Sequence, residues 1–212
     1  LHVIFAVDRA GLVGSDGETH QGCFDLTYLS MVPNMTVMAP KNKWELSDMM
    51  KFAVKYNGPI AVRYPRGEAY DGLEEHRDPI VLGRSEMIYQ GKETALLAVG
   101  SMVKTARQVW EKMEEEGNAP TLVNARFVKP LDEKMLDALA KEHSLIVAME
   151  ENVKTGGFGM AAAEYLHRNH PHVKVLIIAL PDAFICHGNP EKLKEQVGID
   201  ALSVYHKIKE AR

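Results

Sequence analysis

Arg9, Asp16 and His20 stand in one stretch, DRAGLVGSDGETHQGCFD (residues 8–25), that also holds four glycines and few sizeable apolar side chains. A guanidinium fork such as that of Arg9 can hold a carboxylate or phosphate through two parallel hydrogen bonds. Asp16 supplies an acceptor, and His20 a proton carrier, because imidazole titrates near neutrality. Gly11, Gly14, Gly17 and Gly22 let the backbone fold tightly and come close to a ligand. These types together suit binding of a small anion and a proton transfer. Each also has an ordinary use. Arg9 could pair with Asp8 or Asp25 at a surface, Asp16 could bond the backbone of its own turn, and His20 could be a solvated loop histidine.

The elements around this stretch say where it must sit. HVIFAV (2–7) reads as a buried strand, FDLTYLSMV opens as a short helix, and MTVMAP (35–40) is a strand ended by Pro40. Leu46, Met49, Met50, Ala53 and Val54 fall on one helical stripe, and PIAVRYP (59–65) is a third strand. After a charged, Gly-containing stretch, a second alternating unit begins: TALLAVG (94–100), a helix through Val103, Ala106, Trp110 and Met113, then TLVNARF. Asp132 is placed to cap the next helix. SLIVAME (144–150), AAAEYLHRNH, VKVLIIAL (173–180) and polar helices over about 190–210 complete the pattern. Strands separated by helices predict the α/β class, here two units built on parallel sheets. The polar stretch 8–25 then follows a strand and precedes a helix, at the carboxyl edge where α/β proteins place ligands.

Composition narrows the function classes. The chain has 212 residues, 46% hydrophobic and 25% charged, with net charge −4, as suits one or two globular domains. No apolar run approaches the ~20 residues of a membrane span, and the first residues given lack the basic n-region and small-residue cleavage site of a signal peptide. A mildly acidic chain without a long basic block argues against nucleic acid as a partner but leaves room for a local phosphate pocket. Cys23 and Cys186 offer no paired metal-ligand spacing, and reduced thiols in a cytoplasmic compartment are the simpler reading. His143, His167, His170, His172 and His206 read as surface residues, while His187 in ICHG is ambiguous. Met49, Met50 and Trp110 read as core, and TGGFG as a close backbone packing site, since the phosphate-loop spacing is absent.

Read whole, residues 8–25 resemble the 1-deoxy-D-xylulose-5-phosphate synthase family, thiamine-diphosphate enzymes of the transketolase group. The family pattern D-R-A-G-x-V-G-x-D-G-x-T-H-x-G-x-F-D is met at every fixed position. The likeness continues through PNMTVMAP, VRYPRG (62–67), RFVKPLD (126–132), EEN (150–152), GGFG and LPDAFICHG (180–188), so it covers essentially the whole chain. Transketolases and 2-oxo acid dehydrogenase β subunits share the architecture, but the pairing of DRAG with YPRG favours the synthases. Glu18, Cys23 and PKNK depart from the family pattern, beside the expected reactive residues and not on them.

The resemblance implies condensation of pyruvate, with decarboxylation, and glyceraldehyde 3-phosphate on thiamine diphosphate, a step toward isoprenoids, thiamine and pyridoxal. It implies Arg9 and Arg66 as ligands of the substrate phosphate, with His20 and Asp16 as catalytic residues, Asp16 orienting the substrate or His20. By itself Arg66 reads as a turn residue after Pro65 facing water. The family holds the cofactor through magnesium with a Gly-Asp-Gly motif that this sequence lacks, and its pyrimidine-binding glutamate is expected upstream of Leu1. No metal ligand is expected within the chain. The resulting expectation is the later part of a pyrimidine-binding domain (1–75), a linker (76–90) and a complete transketolase C-terminal-like domain (91–212). Such a fragment would be inactive alone, homodimeric with its family, and dependent on an N-terminal domain supplied in cis or in trans. The alternatives are a natural small subunit of a split transketolase-like enzyme, or a noncatalytic sugar-phosphate-binding or assembly module.

Overall fold

The computed structural model describes residues 1–212 apart from the side chain of Ser15. In chain order the elements are β1 (Val3–Val7), α1 (Asp25–Met31), β2 (Thr36–Met38), α2 (Lys43–Lys55) and β3 (Pro59–Arg63), followed by β4 (Glu86–Tyr89) and β5 (Glu93–Ala98). Then come α3 (Met102–Glu115), β6 (Thr121–Asn124), β7 (Phe127–Lys129), α4 (Glu133–Glu142), β8 (His143–Val153), α5 (Phe158–Asn169), β9 (Lys174–Leu180), α6 (Pro190–Val197) and α7 (Ala201–Ala211). The first sheet runs β1-β3-β2-β7 and the second β4-β6-β5-β8-β9.

Both sheets are parallel in their main part, and each carries one antiparallel edge strand that the sequence pattern did not foresee. The run TLVNARF is not one strand. It breaks at Arg126, whose φ of 57° turns the chain, so that β6 stays in the second sheet while β7 crosses to pair antiparallel with β2 of the first. Glu86–Tyr89, inside the stretch read as linker, form the antiparallel edge of the second sheet against β6. A short apolar run shows no periodicity that distinguishes one strand from two, and neither edge partner is local in sequence.

The alternation along the central strands explains their continuous apolar sequence. Leu96 and Ala98 of β5, with Leu145, Val147 and Met149 of β8, pack on α3 and α7 through Met102, Val103, Ala106 and Val204. Ala95, Leu97, Ile146 and Ala148 face the other way. They meet Val37 and Ala61 of the first sheet, together with Leu26 of α1, Leu136 of α4 and Phe158 of α5. A strand covered on both faces has no polar side to show. The outer face of the first sheet is closed by α2 through Met49 and Ala53 against Met38, Ile60, Val62 and Phe127. Val54, expected on that stripe, is exposed, because α2 lies on the sheet through a narrower face than five stripe positions require. Asn42 caps α2 through Glu45 N, and Asp132 caps α4 through Met135 N.

His143 corrects the reading of it as a surface residue. It opens β8 directly after α4, so its ring is carried inside. Nδ1 lies 2.9 Å from the Leu139 carbonyl, which can only accept, so Nδ1 carries the proton and Nε2 accepts from the Thr121 hydroxyl at 2.7 Å. Among the described residues no helix is long and apolar enough to cross a membrane.

Candidate active site

β1 and β3 are parallel neighbours with Val7 opposite Arg63, so the loops leaving their carboxyl ends emerge side by side. Tyr64 N donates to Val7 O (2.9 Å) and Ala10 N to Tyr64 O (3.0 Å), extending the pairing into both loops. This brings together Arg9, on the first loop, and Arg66, on the second. Asp16 gathers them. Arg9 Nε donates to Asp16 Oδ2 at 2.9 Å, and Arg66 Nη1 donates to Asp16 Oδ1. Arg9 Nη1 also reaches Asp8 at 2.8 Å. The Asp16 side chain is 14% exposed, against 36% for Arg9 and 51% for Arg66, so the two guanidiniums are open to solvent with the carboxylate less exposed between them. The Arg66 hydrogen bond first, and the Arg9 one second, hold the Asp16 carboxyl below the usual carboxylate range. Asp16, with Asp8, raises Arg9 in turn.

The loop itself is two short 3₁₀ turns, Gly14–Asp16 and Glu18–His20, joined at Gly17. His20 is exposed at the end of the second turn, with Nδ1 3.0 Å from Thr19 Oγ1. Its ring therefore pairs with Thr19, while the Asp16 carboxylate is occupied by the arginines. Gly22 closes the loop, donating to Arg9 O at 2.9 Å. A Cβ there would come within 2.2 Å of Asp25 Oδ2 and 2.4 Å of Arg9 O, so only glycine fits. Gly11, at φ 70°, would likewise drive a Cβ to 2.3 Å from Glu151 Cδ.

The second unit supports this loop through residues that sequence reasoning quoted but gave no role. Glu151 accepts from Leu12 N at 2.9 Å and from Ser101 Oγ at 2.6 Å, and Asn152 accepts from Leu26 N at 3.1 Å. Buried Arg63 donates to the Gly22 and Glu151 carbonyls and pairs with Asp25. The available signal was three polar residues, EEN, ending an apolar strand, since buried polar groups need partners. Residues 185–188 also reach the loop: Gly188 N donates to Gly14 O (3.1 Å) and Gln21 Nε2 to Ile185 O (2.6 Å). Glu18 raises the Cys186 thiol above its ordinary range, and His187 beside it is exposed. Cys23 is a core residue. Burial first, and Glu151 second, push its thiol up to about 12, so it stays protonated and inert.

Glu150 ties the GGFG turn to the sheet, accepting from Phe158 N (2.9 Å) and Gly159 N (2.8 Å). Burial pushes this carboxyl up to about 7, against the pull of those two N–H groups. Between about pH 4.5 and 7 the folded chain therefore keeps a proton that the unfolded chain has released, and stability falls as pH rises through that window, by about 1–3 kcal/mol. Urea midpoints measured across this range should show that slope, and Glu150→Gln should flatten it. An unchanged slope in the variant would assign the dependence to other groups.

The comparisons with known proteins follow the same geometry. Residues 1–71 match the transketolase pyrimidine-binding domain and residues 83–204 the transketolase C-terminal domain. The chain is 52% identical over 209 residues to 1-deoxy-D-xylulose-5-phosphate synthase from Lachnoclostridium phytofermentans, covering 98% of this chain and 33% of that protein. It is 45% identical over 213 residues to the synthase from Chlorobaculum tepidum, covering 99% and 33%. It thus spans about a third of the length of these curated relatives. Among solved structures, a split-gene transketolase described as an inactive β4 tetramer superposes with TM-score 0.89 at 28% identity, covering 99% of this chain and 66% of that one. Transketolase from Campylobacter jejuni shares the fold, at TM-score 0.77 and 21% identity over 98% of this chain and 31% of that one. The chain belongs to the transketolase family, joining pyrimidine-binding and C-terminal domain sequence, and its curated relatives are 1-deoxy-D-xylulose-5-phosphate synthases.

Proposed function

We propose that this chain is the acceptor-binding part of a 1-deoxy-D-xylulose-5-phosphate synthase, condensing pyruvate with glyceraldehyde 3-phosphate in isoprenoid biosynthesis. The observation that carries this reading is the convergence of Arg9 and Arg66, from two neighbouring strand ends, on one carboxylate at the solvent-facing carboxyl edge of the sheet. Two guanidinium forks set at one point suit a phosphate dianion, which can take a bidentate contact from each. Asp16 keeps both forks in register before substrate arrives and leaves the cleft less cationic. His20, exposed on the same loop, gives a proton to the aldehyde oxygen as the new carbon–carbon bond turns it into an alkoxide. In this reading thiamine diphosphate, with magnesium, supplies the carbon nucleophile. Among the described residues no group of three or more His, Cys, Asp or Glu could hold a metal ion, and no step assigned to this chain's residues runs through the cofactor.

The reading carries the division at 1–75, 76–90 and 91–212, with 76–90 lending β4 to the second sheet, and a cytoplasmic homodimer as the working form. Arg9→Ala or Arg66→Ala is expected to weaken use of glyceraldehyde 3-phosphate about tenfold to a hundredfold each, with little change for unphosphorylated glyceraldehyde. KM ratios for the two aldehydes in the complete enzyme check this. Equal losses for both would make the arginines structural and move the phosphate site elsewhere. A second reading, the small subunit of a split transketolase, is favoured by the likeness to the split-gene structure. It keeps the same cleft and differs in whether the remaining domains come in cis or from another chain, which intact mass and N-terminal sequencing of the protein from its own cells decide.

A further inference from the structure

Near the carboxyl end of β8, Glu151 is buried, and each of its carboxylate oxygens has a partner in a different part of the fold. Oε2 accepts from Ser101 Oγ, directly before α3, at 2.6 Å, and Oε1 accepts from Leu12 N, in the loop leaving β1, at 2.9 Å. Leu12 is itself buried, so its N–H has no water to turn to. Gly11 lies so close to the carboxylate that a side chain there would collide with it. Directly after Leu12 the chain enters the 3₁₀ turn that carries Asp16, with Asp16 N bonded to Val13 O at 2.8 Å. Gly188 N holds the same turn at Gly14 O, 3.1 Å away. Arg9 and Arg66 have anchors of their own: Gly22 N bonds Arg9 O, and β3, which leads to Arg66, is paired along β1. The Asp16 carboxylate that both guanidiniums share therefore takes its place from contacts with the second unit, of which the Glu151–Leu12 bond is the charge-assisted one.

We propose that Glu151 is a positioning residue of the phosphate site, acting through Leu12 and the turn after it to set Asp16 between Arg9 and Arg66. The proposal rests on the reading of the two arginines as phosphate ligands and adds that a residue of the second unit governs how well they act together. Without the carboxylate the buried Leu12 N–H is left unpaired, the loop shifts toward the space beside Gly11, and Asp16 moves with it. Two forks out of register make one good contact to a phosphate where they made two. Glu151→Gln separates the hydrogen bonds from the charge. Its Oε1 still accepts from Leu12 N, and its Nε2 donates to Ser101 Oγ, which accepts in place of donating.

Steady-state kinetics of the complete enzyme with glyceraldehyde 3-phosphate and with unphosphorylated glyceraldehyde test this. Glu151→Ala should raise KM for the phosphorylated aldehyde about tenfold with little change for the other, and Glu151→Gln should restore the parent ratio. Should Glu151→Ala not fold, Glu151→Asp serves: it keeps the charge, is one methylene short of Leu12 N, and should show the same selective rise. On an Asp16→Ala background either substitution should raise KM no further, because the path through Asp16 is already cut. Equal losses for both aldehydes overturn the proposal and make Glu151 a general brace of the fold. A folded Glu151→Ala or Glu151→Asp enzyme with the parent ratio overturns it too, as does failure of Glu151→Gln to restore that ratio or a further rise on the Asp16→Ala background. Arg66→Ala measured alongside separates this proposal from the reading beneath it. A selective loss in Arg66→Ala without one at Glu151 overturns the positioning role alone, whereas no selectivity in Arg66→Ala overturns the reading of the arginines and this proposal with it.

Discussion

His20→Ala, made in the complete thiamine-diphosphate enzyme proposed above, is expected to lower kcat/KM by about 10²- to 10⁴-fold while the melting temperature stays nearly fixed. The size follows from the work assigned to the ring. An aldehyde oxygen that becomes an alkoxide without a positioned acid must wait for solvent to protonate it. The small effect on stability follows from the structure, where His20 is exposed and its one ring contact is with the adjacent Thr19 hydroxyl. That contact uses Nδ1, and among the described residues nothing pairs with Nε2, the nitrogen left to face a substrate. Asp16 is not the ring's partner, so His20→Ala and Asp16→Ala should differ in kind. Removing Asp16 frees Arg9 and Arg66 and should change KM for the phosphorylated aldehyde, whereas removing His20 should appear mainly in kcat. Unchanged turnover in a folded His20→Ala enzyme would remove it from the mechanism.

Arg126→Met is expected to cost about 3–5 kcal/mol of folding stability, the largest loss anticipated for one side chain in this chain. Arg126 is 2% exposed, and its guanidinium bonds Glu45 Oε1 and Glu86 Oε1, each at 2.7 Å, and the Asp78 carbonyl at 2.9 Å. Lys41 completes the cluster, reaching Glu86 at 2.7 Å and Glu45 at 3.3 Å, and Asn124 donates to Glu45. Two cations thus balance two carboxylates between elements of both sheets. Deleting one cation leaves a buried carboxylate uncompensated, and that loss, more than the worth of the original pair, sets the magnitude. Replacing all four charged residues with apolar ones of similar size should cost much less, since no charge is then stranded. Burial works against the Glu86 charge, but Lys41 and Arg126 outweigh it and hold the carboxyl below the usual glutamate range. Its contribution is therefore present above the unfolded pKa and lost as pH falls through the folded one. Equilibrium urea unfolding of the single and quadruple variants at neutral pH checks both expectations. A single variant within 1 kcal/mol of the parent would show that the cluster is hydrated.

Much of the site was legible because its residues are neighbours in sequence. Arg9, Asp16 and His20 share one loop, and the strand before it and helix after it are marked by local patterns. Helix stripes such as Val103, Ala106, Trp110 and Met113, and caps such as Asp132, depend on spacings of three and four residues, which a sequence shows directly. Val54 and His143 were misplaced for a related reason. A stripe says which residues can be buried together, but the width of the buried face depends on what packs against it, and a histidine at an element boundary goes inside or outside according to the turn of the chain.

By itself the sequence determined the α/β class, the order of most elements, and the placing of Arg9, Asp16 and His20 together on a loop at the carboxyl end of a strand. Only the tertiary structure decided that Asp16 holds both arginines and leaves His20 to Thr19, because that choice depends on the parallel register of β1 with β3 and on the path of two loops. It also decided that Arg126 breaks one apolar run into strands of two different sheets, and that EEN and residues 185–188 brace the loop. Each of these is a contact between residues far apart in the chain, set by how charges and polar groups find partners once the sheets have stacked. Local periodicity carries no record of such partners.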